Sequence, residues 1–237
     1  MCGIFGFTAD ARWTPAHQRL AMCLMEALAR ASEERGVDAG GFAALSANGD
    51  LLWARQPGPA HDLFESPAWR GLGDRRLVAA IGHTRFATHG APVSNGNNHP
   101  HMAGEWALVH NGVIPQHRRK ARILGIQLHG QCDSELLSHM MRRYGERRGP
   151  GECMALCGSQ SVLALHATSR ALLAWSNGRM PLAAFHIEGP VQTERGMDGW
   201  WWASTADIAA RAAATAGVAI LPGRISSYKV YRMQASR

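Results

Sequence analysis

Cys2-Gly3-Ile4-Phe5-Gly6-Phe7 stands directly behind Met1. The run reads as a buried strand that begins at the very first residues. Cysteine is small enough for methionine aminopeptidase to remove Met1, so the mature chain is expected to begin at Cys2. That places a thiol and a free α-amine on one residue. The amine's ordinary pKa of about 7.7–8.0 lets it serve as a base near neutral pH, with no separate histidine. The alternative is a strand that merely begins with a small residue, and the rest of the sequence decides between the two.

Outward from this strand, Thr14-Pro15 offers a helix cap with proline at the first helical position. Leu20, Leu24, Ala27 and Leu28 follow at helical spacing, and the helix is expected to end near Gly36. Gly41–Leu45 and Leu51–Arg55 flank Asn48-Gly49, which suits a hairpin turn. Further strands are predicted at 77–84, 106–110, 161–166, 171–175, 182–187, 200–204, 218–221 and 226–233. Helices are predicted at about 115–125, 133–145, 151–157 and 206–215. Many strands with helices in separate clusters point to an α+β chain of two packed sheets flanked by helices.

The 237 residues are 46% hydrophobic and 18% charged, which suits a single globular domain over 1–237 and excludes disorder as the main state. No apolar run approaches a membrane span, and no signal peptide is visible, so a cytoplasmic protein is expected. Five cysteines without a C-x-x-C pair indicate reduced thiols. Apart from Cys2 they are expected to be small core residues, with Cys23 on the apolar side of the first helix. The net charge is +7, and His117–Arg148 holds eight basic residues against three acidic ones. A solvated basic helix surface is the simpler reading; an acidic partner, phosphate or nucleic acid is the alternative.

Three polar blocks carry the chemistry. His83-Thr84-Arg85-Phe86-Ala87-Thr88-His89-Gly90 leaves a predicted strand and ends in a glycine turn. Asn97-Asn98-His99-Pro100-His101 follows. His110-Asn111-Gly112-Val113-Ile114 ends another strand, where an Asn amide beside a glycine N–H can form a two-donor oxyanion hole. Asp133 stands at a helix start, either as an N-cap or as a ligand for an ammonium group.

With these blocks in their order, the chain resembles the class II glutamine amidotransferases of the N-terminal nucleophile hydrolases, above all the glutaminase domain of glucosamine-6-phosphate synthase. Cys2-Gly3-Ile4, Arg35-Gly36-Val37-Asp38, His83–Gly90, Asn97–His101, His110–Ile114 and Cys132-Asp133 match that family's blocks in sequence. Five positions depart from it: Val37 and Phe86 stand for tyrosine and tryptophan, Pro115-Gln116 for Glu-Asn, and Trp175 lies where the family has arginine.

The resemblance implies an αββα sandwich and a glutaminase. Cys2 would attack the glutamine side-chain amide, Asn111 and Gly112 would hold the oxyanion, and the α-amine of Cys2 would move the proton. Arg85 would grip the substrate α-carboxylate, Asp133 its α-ammonium, and Thr88, His89 and Gly90 would line the pocket. Arg35, Asp38 and Phe86 would support the nucleophile loop. No cofactor is implied. The resemblance covers no ammonia-accepting region, so a separately encoded synthase is the expected partner. Cleavage of another γ-glutamyl amide and a non-catalytic basic docking module are the alternatives. His83, His89, His99, His101, His110 and His117 raise metal binding as a further reading, but no H-E-x-x-H and no H-x-H with an acidic partner accompanies them, and no metal is expected.

Overall fold

The computed structural model describes residues 1–9, 13–188, 199–223 and 225–234. In chain order the elements are β1 (Gly3–Ala9), α1 (Pro15–Ser32), β2 (Ala39–Ser46), β3 (Leu51–Pro57), α2 (Ala60–Phe64), α3 (Pro67–Arg70), β4 (Leu77–Arg85), β5 (His101–Ala103), β6 (Trp106–Val113), α4 (His117–Ile123), α5 (Ser134–Met154), β7 (Ser159–His166), β8 (Ala171–Ser176), β9 (Ala183–Glu188), β10 (Gly199–Ala203), α6 (Ala206–Ala216), β11 (Ala219–Gly223) and β12 (Val230–Gln234). Seven strands form one sheet in the order β11-β9-β10-β1-β4-β2-β3, and five form a second in the order β12-β8-β7-β6-β5. The strand pairs of both sheets are antiparallel.

Three apolar layers hold this arrangement, and they make it the αββα sandwich expected from the resemblance. Phe5, Phe7 and Trp201 face α1 and α6 from the larger sheet, meeting Leu24, Leu28 and Ile208. Ile4 and Trp202 point the other way, into the space between the sheets, where Val109 and Leu163 come from the smaller sheet. On the far side Leu136, Leu137, Met140 and Met141 of α5 cover Leu108, Val162 and Trp175. The Trp200–Trp202 run is therefore packing: Trp201 serves the outer layer and Trp202 the inner one, as strand alternation demands. Fully burying one such side chain contributes roughly 1.5–3 kcal/mol.

Local signals set most boundaries. Thr14 Oγ1 accepts from His17 N at 3.3 Å while His17 Nδ1 accepts from Thr14 N at 3.2 Å, a reciprocal cap at the start of α1. The β2–β3 loop runs over residues 47–50, with Gly49 at φ 94°. The helices predicted at 133–145 and 151–157 are one stretch, α5, broken at Gly145. There φ is 68° and ψ −176°, a backbone that glycine adopts freely and other residues do not.

One side-chain expectation fails: Cys23 is exposed. The apolar stripe of α1 follows Ala21, Leu24, Met25 and Leu28, and at 100° per residue position 23 falls on the opposite side. Cys157 is likewise exposed, because it follows the end of α5, whereas Cys132 and Cys153 are buried. In the basic stretch Arg118, Arg119, Arg122, Arg142, Arg143, Arg147 and Arg148 are all exposed on the outer helical layer. Among the described residues no helix is long and apolar enough to cross a membrane.

Candidate active site

β1 lies in the interior of the larger sheet, between β4 and β10, so the residue at its start is held by both neighbours. Gly3 N donates to Thr84 Oγ1 at 3.1 Å, and Ile4 N donates to Ser204 Oγ at 2.8 Å. Arg35 Nε donates to the Cys2 carbonyl at 2.6 Å from behind. Cys2 Sγ thereby comes to rest against the strand exit of β4, accepting from Phe86 N at 3.3 Å and lying 3.4 Å from Phe86 O.

Cys2, Phe86, Thr88 and Gly112 line one cavity of about 90 Å³, completed by Met1, Val113, Ser159 and Met180. Burial pushes the Cys2 thiol above its ordinary pKa, against the opposing pull of the Phe86 N–H, the positive chain terminus and Arg85. The resting group is the thiol. A nucleophile of this kind needs a proton acceptor beside it.

The 86–90 loop is built to hold its shape. Asp38 Oδ2 accepts from Ala87 N at 2.7 Å, and Asp38 N donates to Arg85 O at 2.9 Å. Arg85 is buried and donates to Asn98 Oδ1 at 2.7 Å, to His89 O at 2.5 Å and to Gly90 O at 2.7 Å. Those bonds use three of its five N–H groups and leave two. His89 is exposed and stands edge-on to His117, with ring centres 5.7 Å apart.

The Asn111-Gly112 pair sits within β6, which continues to Val113 instead of ending at the pair. Gly112 has φ 141°, and a side-chain carbon there would lie 1.8 Å from Ser159 O, so only glycine fits. Asn111 is fully buried; its Nδ2 donates to Ser204 Oγ at 3.1 Å, and its Oδ1 has no hydrogen-bond partner. Asp133 is buried at the N-cap position of α5 but makes no capping bond. Its Oδ2 accepts from Ile114 N at 2.5 Å instead, which ties the start of α5 to the end of β6. Both Arg85 and Asp133 act electrostatically on the Cys2 thiol.

Sequence reasoning did not pick out Thr84, Asn98 or Ser204. Thr84 and Asn98 lie inside quoted blocks; Ser204 carries no motif and becomes visible only when β10 is laid beside β1. The histidines are mostly buried: His83 stacks on His99 at 3.8 Å, and His99 meets His101 at 4.6 Å. Cys132 completes a close group with His99 and His101 that has the donor types of a metal site.

The chain is 34% identical over 202 residues to the glutamine–fructose-6-phosphate aminotransferase (isomerizing) of Gluconobacter oxydans, an alignment covering 80% of this chain and 31% of that protein. It is 39% identical over 147 residues to the protein of the same name from Pseudomonas aeruginosa, covering 60% of this chain and 22% of that one. A glutamine phosphoribosylpyrophosphate amidotransferase from B. subtilis superposes over 98% of this chain and 47% of its own, with a TM-score of 0.70 at 20% identity.

The chain is a homologue of the glutamine–fructose-6-phosphate aminotransferases over the matched stretch and shares the fold of the glutamine amidotransferases.

It spans less than a third of the length of these two curated relatives. No protein-family model matches it. A class-II glutamine aminotransferase domain protein from Silicibacter pomeroyi shares the fold at a TM-score of 0.50 and 17% identity, over 85% of this chain and 88% of its own. Against the class II amidotransferase pattern, the departures at Val37 and Phe86 lie together. Gly36 packs on the Phe86 backbone and Asp38 bonds to Ala87, so Val37 sits between two contacts with that loop. Both side chains are about half exposed, at 49% and 52%.

Proposed function

We propose that this chain hydrolyses the side-chain amide of glutamine to glutamate and ammonia, with Cys2 as nucleophile. The observation that carries the reading is the place of Cys2: it stands directly ahead of an interior strand and lines a cavity with Gly112.

Removal of Met1 frees the Cys2 α-amine and takes away one wall of that cavity. The thiol passes its proton to this amine as Sγ bonds to the amide carbon. Negative charge then develops on the carbonyl oxygen beside Gly112 and Asn111. Asn111 reaches the donor state by turning its carboxamide over: Oδ1 then accepts from the Ser204 hydroxyl, which can donate as well as accept, and Nδ2 faces the side that lacked a partner. A donor of this kind supplies about 10²–10³ in rate. Collapse expels ammonia, which takes up the proton held by the amine. Water, deprotonated by the same amine, then attacks the thioester and releases glutamate.

The two N–H groups that Arg85 has left are available to the substrate carboxylate, and the Asp133 carboxylate suits the α-ammonium. Thr88, His89 and Gly90 shape the pocket around them. Arg35 and Asp38 act from behind, on the Cys2 carbonyl and the 86–90 loop. We further infer that a synthase consumes the ammonia and docks over the apolar rim formed by Phe86 and Val37. An apolar lid there would keep ammonia from water.

Intact-mass measurement of active protein should give a chain beginning at Cys2. A glutamine analogue bearing a diazoketone should label Cys2 and none of the other four cysteines, and Cys2→Ala should abolish ammonia release while retaining the fold. Active enzyme that keeps Met1, or labelling spread over Cys23 and Cys157, would overturn the mechanism.

A further inference from the structure

Three donor side chains that have no role in the chemistry just described converge where Cys132 Sγ bonds Asp133 Oδ1 at 3.8 Å. His99, His101 and Cys132 each offer a ligand atom, these atoms lie within 4.8 Å of one another, and all three residues are buried. His99 is 3% exposed, and neither of its ring nitrogens has a hydrogen-bond partner; His101 is 2% exposed, and its Nε2 has none. An unsatisfied polar atom at such depth destabilises a fold. Three on adjacent rings call for a ligand.

The segment that bears the histidines is fixed in place. Arg55 Nη1 donates to Asn98 O at 2.9 Å and to Pro100 O at 2.7 Å, clamping the backbone on both sides of His99. The His99 ring is stacked on His83. Cys132 is held by its position just ahead of α5, where Asp133 bonds to β6. Charges of both signs act on His101, Arg55 and Arg85 against Glu135 and Asp133.

We propose that His99, His101 and Cys132 form a buried site for a thiophilic transition-metal ion of the zinc type. Two imidazoles and one thiolate are a donor set such ions favour over water and carboxylates. Zinc–nitrogen and zinc–sulfur bonds of about 2.0–2.1 and 2.3 Å set neighbouring ligand atoms roughly 3.3–3.8 Å apart at tetrahedral angles, so the three need to close by about 1 Å. Binding forms a metal–thiolate bond and releases the Cys132 thiol proton to solvent. A water molecule takes the fourth position. The inference is independent of the glutaminase reading, since it concerns binding alone.

The test uses untagged full chain carrying Cys2→Ala, Cys23→Ser and Cys157→Ser, which removes the accessible thiols, titrated anaerobically with Co2+ and then Zn2+. About one Co2+ per chain should bind with tetrahedral visible bands and a near-ultraviolet thiolate-to-cobalt charge-transfer band, and Zn2+ should displace it. Adding Cys132→Ser should abolish the charge-transfer band and weaken Zn2+ binding at least 100-fold or so. X-ray absorption at the zinc edge of the parent chain supplies a readout that needs no variant in this cluster, and should fit one sulfur and two imidazole nitrogens. Cobalt bound without charge transfer, binding unchanged by Cys132→Ser, or a zinc shell of nitrogen and oxygen alone would each overturn the site.

Discussion

Replacing Ser204 by alanine tests how the site is held together, because this one hydroxyl joins the nucleophile strand to the oxyanion residue. Ser204 Oγ accepts from Ile4 N at 2.8 Å, lies 3.3 Å from Ile4 O, and bonds Asn111 Nδ2 at 3.1 Å, all fully buried. In Ser204→Ala a backbone N–H loses its acceptor and a carboxamide loses its anchor. Each such loss costs about 1–3 kcal/mol, and partial relaxation of the carboxamide brings the expected total to about 2–4 kcal/mol. The kinetic effect follows from Asn111, whose turned-over amide would lose the Ser204 hydroxyl that its Oδ1 accepts from. A fall in kcat of ~10–100-fold is expected, less than the ~10²–10³ for losing the donor outright, with KM changed less than about threefold. Urea denaturation gives the first quantity and a coupled glutamate assay the second. If stability falls as stated while kcat stays within about twofold of the parent, Ser204 is structural only and Asn111 is oriented by something else.

Arg85→Lys should raise KM for glutamine at least ~10-fold although the charge is kept, since one ammonium cannot hold Asn98, two loop carbonyls and a carboxylate together. Asp133→Asn keeps an oxygen for Ile114 N and so should preserve the fold while weakening glutamine binding; unchanged KM in both variants would remove these residues from the pocket. Burial raises the Glu135 carboxyl, but His139 and the N–H groups of His129 and Gly130 outweigh it and bring the pKa down to about 2. A depressed carboxylate stabilises fully above its unfolded range near 4.5 and loses that contribution as pH falls towards 2, so Glu135→Gln should destabilise by about 3 kcal/mol at pH 7 and by little at pH 2. Urea midpoints that differ equally at both pH values would contradict this.

Much of the fold was legible where the signal is local. The Thr14 cap, the alternation of Phe5 and Phe7 with Ile4, and the glycines at loop and strand exits each write a short-range rule into adjacent residues. The order of strands does not lie in any such rule, and with it went Ser204, whose role depends on two strands some 200 residues apart in sequence pairing side by side. Cys23 was expected on the apolar side of α1, whereas the buried stripe through Ala21, Leu24, Met25 and Leu28 leaves position 23 facing out. Cys132 looked like one small core residue among several, because nothing in the local sequence links it to the histidines about 30 positions earlier. Cys2, Phe86, Thr88 and Gly112 line one cavity for a related reason: β1, β4 and β6 deliver their ends to one place.

The interior position of β1 has a consequence for the newborn chain. Its register pairs Phe5 with Gly82 on one side and with Ala203 on the other. A ribosome adding about 5–20 residues per second makes the second partner roughly 10–40 s after the first strand. The other partner, β4, is made after only about 4–15 s, so β1 can pair on that side while the β10 side stays open. In the finished fold Met1 itself stays exposed, at 67%, so the peptidase can reach it before or after β10 docks. Ser204, which anchors Asn111, follows β10, so the proposed oxyanion site gains its last support only when nearly all of the described protein has been made.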